Sequence, residues 1–195
     1  MRTLLKSLKI TIAFCLFFSV CYILILWVFA LVAGPNKGNA ELVTLKNGKV
    51  VGAANVGQQF TKDIYFWGRP SAVNYTADGS GGSNKGPTNE EYLAEVEARI
   101  DTFLIHHPYL NRKDVPAEMV TASGSGLDPN ITRQCAYVQI KRIAKARGMN
   151  ESDIQDIVNN HIEKPFLGLF GTEKINVLKL NVALDEANKS IIAEK

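Results

Sequence analysis

No charged residue occurs between Lys9 and Lys37, and within that interval Ile10–Ala33, ITIAFCLFFSVCYILILWVFALVA, has Thr11 and Ser19 as its only aliphatic hydroxyls. A chain with such a stretch cannot bury all of it in a small water-soluble core. As an α-helix the stretch would reach about 36 Å at about 1.5 Å per residue, against a hydrocarbon core of about 30 Å. It therefore spans a bilayer with modest tilt, and Trp27 and Phe29 near its far end suit the interfacial belt. Arg2, Lys6, Lys9 and the Val28-Phe29-Ala30 triplet are flanks that a cleavable signal peptide would also have. Signal cores run only about 7–15 residues, so an uncleaved anchor is the expectation.

Three of the 22 basic residues precede this stretch and none of the 19 acids does, so the remainder of the chain is balanced at 19 of each sign. The basic flank places the N-terminus in the cytoplasm by the positive-inside rule. The expected organisation is a cytoplasmic tail over residues 1–9, a transmembrane helix over 10–33, a linker over 34–40 and an exported globular domain over 41–195. A neutral exported domain gives no electrostatic footprint for nucleic acid. Cys15 and Cys21 fall in the membrane stretch and leave Cys135 alone in the domain, which excludes a disulfide within it.

Within the domain, Leu42, Val43 and Leu45, then Asn47-Gly48, then Val50 and Val51 read as a β-hairpin with a primed turn. A glycine-rich loop over Phe66–Tyr92 leads to a helix carrying Tyr92, Val96, Ile100 and Phe103 at helical spacing. Thr88 and Glu91 form a capping-box pattern before it, and Pro108 follows it. After a second small-residue loop, TASGSGLDPN, Thr132 opens a helix that Gly148 closes. Ser152 and Gln155 suggest the cap of a short third helix, and KINVLKLNVALD (Lys174–Asp185) reads as a strand with alternating faces. The order predicts one α/β (or α+β) domain behind a single membrane helix.

Catalytic chemistry finds little footing. The phosphate-cradle pattern Gly-x4-Gly-Lys-Ser/Thr fails because Lys85 lies between Asn84 and Gly86. Ser80-Gly81-Gly82 matches the core of the ABC-type ATPase signature, but Gly79 and Ser83 stand where that motif has leucine and glutamine. Ser125 lacks the first glycine of a nucleophile elbow, and Ser125, His161 and Asp128 form a triad only on paper. His106 and His107 are expected to point apart on their helix, and no His-x3-His pair or cysteine cluster supports a metal. Trp67, Arg69 and Tyr75, by contrast, are residue types that dominate protein-binding hot spots. The bland alternative makes Phe66 and Trp67 core aromatics finishing a strand.

Four blocks, YFWGRPSA, SGGSNKGPTN, VPAEMVTASGSGLDPNIT and INVLKLNVALD, closely resemble the C subunit of the bacterial high-affinity potassium-transporting Kdp ATPase. Lys85 departs from the family, which more often has an apolar residue there. The resemblance implies a single-pass subunit of the bacterial cell (inner) membrane with no activity of its own. Its implied partners are a channel-like potassium-translocating subunit, a P-type ATPase subunit, a small single-helix subunit and the lipid bilayer. Potassium is implied as the transported ion, and ATP as a nucleotide whose affinity for the ATPase subunit this chain raises as a catalytic chaperone. The residues expected to meet a partner or nucleotide are Trp67, Arg69, Pro70, Ser71, Ser80, Gly81, Gly82, Ser83, Asn84, Gly86, Pro87, Thr88, Asn89, Ser123, Ser125, Asp128 and Pro129. The alternatives are direct nucleotide binding by the glycine-rich loop and an extracellular cover over the potassium entrance.

Overall fold

The computed structural model describes residues 2–193, with side chains through residue 188. The ends of the expected tail and domain, residue 1 and residues 194–195, lie outside the described residues. The chain divides into two units, residues 1–41 and 42–195. The first is a helix over Arg2–Ala33, long and apolar enough to cross a membrane, with none of its most apolar segment buried against protein. It consists of α1 (Arg2–Phe17), a π-turn over Phe18–Tyr22 and α2 (Ile23–Ala33). The helix begins at Arg2, so the basic residues expected in a tail stand on its first turns. Gly34 ends it where a Cβ would meet the Ala30 carbonyl oxygen at 2.4 Å, a contact only glycine avoids.

The second unit opens with an antiparallel ribbon, β1 (Leu42–Thr44) on β2 (Val50–Ala53). Its turn is not the primed type. Gly48 has φ of 80° while Asn47 keeps a negative φ. The Gly48 N–H donates to Leu45 O at 2.8 Å, and Leu45 N–H donates to Lys49 O at 2.9 Å. This is a three-residue loop in which glycine alone takes the left-handed position, the form that also delivers the ribbon's twist.

Helix α3 (Glu90–His106) starts one residue later than the capping-box pattern suggests: Asn89 is the cap, and its side chain accepts from Tyr92 N–H at 2.8 Å. Tyr92, Val96 and Ile100 are half-buried and Phe103 is buried, as the spacing requires. A two-residue strand β3 (Asn130–Ile131) precedes α4 (Arg133–Tyr137), capped by Thr132, and α5 (Ile140–Arg147), which Gly148 closes at φ of 66°. Helix α6 (Glu151–Asn160) begins after Asn150, not at a Ser152 cap.

The largest difference lies in KINVLKLNVALD. Only β4 (Ile175–Asn176) is strand, paired antiparallel to β3; from Val177 the chain is helix α7 (Val177–Ala193). Val177, Leu180, Asn181 and Leu184 are buried, which is helical spacing, and the Asn176 side chain accepts from Lys179 N–H at 3.1 Å to start the helix. With both ribbons antiparallel, the domain is α+β. Its core joins Phe66, Phe103, Ile131, Ile143, Ile154, Ile175, Leu180 and Leu184.

Candidate partner-docking site

The segment Lys62–Trp67 enters the core at Phe66 without belonging to a strand, so its inward backbone polar groups need side-chain partners. Two amides serve consecutive residues. Asn181 accepts from Phe66 N–H at 2.8 Å and donates to Phe66 O at 3.0 Å. Gln139 accepts from Trp67 N–H at 2.8 Å and donates to Trp67 O at 3.2 Å. Arg142, almost fully buried, donates to Asp63 O at 2.6 Å, Tyr65 O at 2.9 Å, Gln139 Oε1 at 2.8 Å and His107 Nε2 at 3.0 Å. Its guanidinium also lies 4.4 Å from the Trp67 ring centroid. Arg147 reaches Ile64 O at 2.6 Å and Asp185 at 2.7 Å. Phe66 is therefore core and Trp67 packs against it, the bland reading for both, although neither finishes a strand.

His107 must accept from Arg142 through Nε2, so its proton sits on Nδ1, which meets Phe103 O at 2.7 Å. This residue has left helical geometry, with φ of −127° and ψ of 61°. That turn brings both adjacent imidazoles against Trp67, at 4.9 Å for His106 and 5.8 Å for His107, rather than apart. Burial pushes the His107 pKa down to about 4. Since the unfolded chain holds an ordinary histidine near about 6.5, it binds the extra proton between those values and the folded domain does not. Stability from this site is present above about pH 6.5 and is lost as pH falls toward about 4. Thermal unfolding of the full chain in detergent should show the Tm falling over that window, and His107→Gln should remove part of the slope. An identical slope in the variant would assign the effect to other groups.

On this rigid base the two small-residue loops are stitched together. Ser71 Oγ donates to Gly126 O at 2.6 Å and accepts from Tyr75 N–H at 2.9 Å. Ser123 N–H donates to Pro70 O at 3.2 Å, and Gly81 N–H donates to Ser125 O at 2.8 Å. The Tyr75 hydroxyl closes back on Arg69 O. Gly126, at φ of 68°, admits no side chain, because a Cβ would lie 2.6 Å from Val73 Cγ2 and 2.8 Å from Gly81 O. Pro129 O accepts from Val177 N–H at 2.9 Å, which ties the second loop to the start of α7. A loop this rich in glycine is ordered by pairing with another loop of the same chain. Sequence spacing carries no signal for that.

Arg69, Pro70, Ser71, Gly81, Ser123, Ser125 and Asp128 thus come together, with Gly82 so near Gly124 that a Cβ on it would lie 3.1 Å from the Gly124 carbonyl oxygen. Ser80 and Asn84 are exposed along the loop and Ser83 is half-buried. Gly86, Pro87, Thr88 and Asn89 stand apart as the entry to α3. Lys85 binds Glu95 at 2.7 Å and Glu91 at 3.1 Å, hydrogen bonds that hold its pKa above the ordinary lysine value. The charge at this position thus ties the loop to α3. His161 sits beyond α6 with Nδ1 against Ile157 O at 2.8 Å, engaged locally rather than with Ser125.

Beside the stitched loops lies an open cleft of about 450 Å³, bordered by Phe60, Trp67, Arg69, Ser71, Arg99 and Phe103. Arg69 is poorly matched within the chain. Its contacts to Asp128 Oδ2 and Ala122 O are both 3.4 Å, and its Nε is the one buried side-chain polar atom among the described residues without a hydrogen-bond partner. The sequence singled out Arg69 by residue type. It missed Gln139, Arg142 and Asn181, which hold the segment leading to it.

The family model for the K+-transporting ATPase c chain matches residues 4–186. A potassium-transporting ATPase KdpC subunit of Bacteroides thetaiotaomicron is 76% identical over 95% of this chain and 99% of its own length. The corresponding subunit of Flavobacterium psychrophilum is 52% identical over 95% and 99%. That of Caldanaerobacter subterraneus subsp. tengcongensis is 40% identical over 94% and 95%.

Proposed function

The chain belongs to the family of K+-transporting ATPase c chains, and on that premise we propose that it is the non-catalytic, membrane-anchored subunit of a Kdp-type potassium uptake complex that docks on its partners through the stitched loops. The observation that carries this reading is Arg69. A half-buried guanidinium with an unmatched Nε and two long contacts borders an open cleft. A carboxylate or carbonyl from another subunit that reaches the exposed part of the guanidinium would give its terminal nitrogens, held only by contacts of 3.4 Å, a closer partner.

The N-terminal Arg2, Lys6 and Lys9 favour a cytoplasmic N-terminus and an exported domain. From that side the domain cannot touch ATP held in the cytoplasm. A rise in the ATPase subunit's ATP affinity then travels through the membrane helix and the partner subunits as an allosteric coupling. A nucleotide grip by the glycine-rich loop has less behind it: Gly81 N–H is committed to Ser125, and the first turn of α3 is already occupied by Glu90 and Glu91. An extracellular cover over the potassium entrance would use the same docked face.

Arg69→Ala in the complete complex should weaken subunit association or potassium-stimulated ATP hydrolysis, by the about 2–5 kcal/mol typical of an interfacial charged anchor. Ser71→Ala, which loosens the stitch but keeps the guanidinium, should have a smaller effect. Co-purification and activity unchanged in Arg69→Ala would reduce the loops to connectors.

A further inference from the structure

Between α6 and β4 a short arm leaves the domain. Glu163 and Lys174 pair in both directions at 2.9 and 3.1 Å, and Phe166 and Phe170 pair at 2.9 and 3.0 Å. At its end Phe166 is 71% exposed, Leu167 74%, Leu169 81% and Phe170 64%. A core-forming protein has no use for four large apolar side chains held in water at one tip. Leu167 is also at φ of 54°, next to Gly168 at φ of 73°. Glycine or asparagine would sit in that turn more easily than a bulky leucine, so the sequence keeps apolar surface there against local preference.

We propose that the Pro165–Phe170 tip is a lipid-contact wedge that seats in the interfacial zone of a bilayer. Two features select lipid over a protein partner. From Pro165 to Phe170 no side chain carries a polar atom, and the Trp, Tyr and Arg that dominate protein hot spots are missing. The backbone, moreover, largely satisfies itself. Proline has no N–H, and four of the five remaining N–H groups bond within the tip: those of Phe166 and Phe170 to each other's carbonyls, Gly168 to Pro165 O at 3.0 Å and Leu169 to Phe166 O at 3.1 Å. Internal pairing is what an apolar medium demands of a backbone. The arm's base turns polar at once, with Glu163 facing Lys174 at 3.6 Å and Lys179 at 3.9 Å, so the wedge is shallow and its charged rim stays in water.

The inference rests on the helix being a bilayer anchor, and the test separates the two. The full-length chain with Cys15→Ala and Cys21→Ala, buried Cys135 kept, is reconstituted in phosphatidylcholine–phosphatidylglycerol vesicles. Nitroxide labels are placed singly through Leu169→Cys, Ile25→Cys and, as an aqueous reference, Lys113→Cys. The label at residue 169 should collide more with oxygen and less with a water-soluble nickel chelate than the label at residue 113. Values equal to the aqueous reference, with residue 25 reading as lipid-embedded, would overturn the wedge and leave the anchor standing. An aqueous reading at residue 25 would overturn both. Loss of oxygen and nickel collisions together at residue 169, arising only on adding the other subunits, would show protein cover and overturn the lipid assignment.

Discussion

Arg142→Ala should unfold the domain over residues 42–195 at temperatures where the parent chain is folded. Removing the guanidinium takes from Asp63 O, Tyr65 O and His107 Nε2 the donor that reaches each at 3.0 Å or less, and leaves Gln139 Oε1 with the Trp67 N–H alone. A buried acceptor left unmade costs about 1–3 kcal/mol, so the three acceptors together cost on the order of 5 kcal/mol. Typical domain stabilities are about 5–15 kcal/mol, which makes this single change comparable to the whole. Burial already lowers the Arg142 pKa to about 10. The residue still carries its charge at neutral pH, and its hydrogen bonds offset the desolvation. Arg142→Lys should fall between parent and alanine, since an ammonium cannot serve four acceptors arranged around a planar fork. The measurement is Trp67 fluorescence on heating in a Trp27→Phe background. A Tm for Arg142→Ala close to that of the parent would show that water or a neighbour supplies the missing donors.

The same network explains what could be read in advance and what could not. The membrane stretch, the spacing Tyr92-Val96-Ile100-Phe103, the Thr132 cap and the Gly148 stop are local signals, and local physics decides them. KINVLKLNVALD misleads because a short apolar run fits period 2 and period 3.6 equally well. Only the extension to Leu184, one turn past Leu180 and Asn181, separates the two. A strand reading also hides Asn181, which stands out once α7 is a helix because it interrupts a buried stripe of Val177, Leu180 and Leu184. Arg142 and Arg147, among Ile140, Ile143 and Ala144, interrupt α5 in the same way. A polar residue in an apolar stripe signals a bond to be made, but the partner lies in another segment. The Ser71–Gly126 and Gly81–Ser125 ties were illegible for that reason: each joins residues more than forty positions apart whose own side chains are small or absent.

Replacing Leu24, Ile25 and Leu26 together with aspartate should abolish incorporation into the membrane complex. All three lie in α2 and are exposed. On insertion scales a central aspartate costs about 2.5–3.5 kcal/mol where Leu or Ile contributes about −0.3 to −0.6, so three changes shift the balance by on the order of 10 kcal/mol. Snorkelling and local thinning relieve charges near a helix end, but aspartate is too short to reach the interface from the middle of this segment. Three adjacent positions also cover most of one helical turn, so rotation about the axis cannot turn them all toward a partner helix. The stitched loops, the amide clamps and the Arg142 fork lie in the other unit and are untouched, so the domain itself should still fold. Membrane fractionation and co-purification with the ATPase subunit should then both fail while protease resistance of the domain persists. Normal co-purification of the triple variant would mean that the domain's docking surface alone holds the chain in the complex, and the helix would lose its role as anchor.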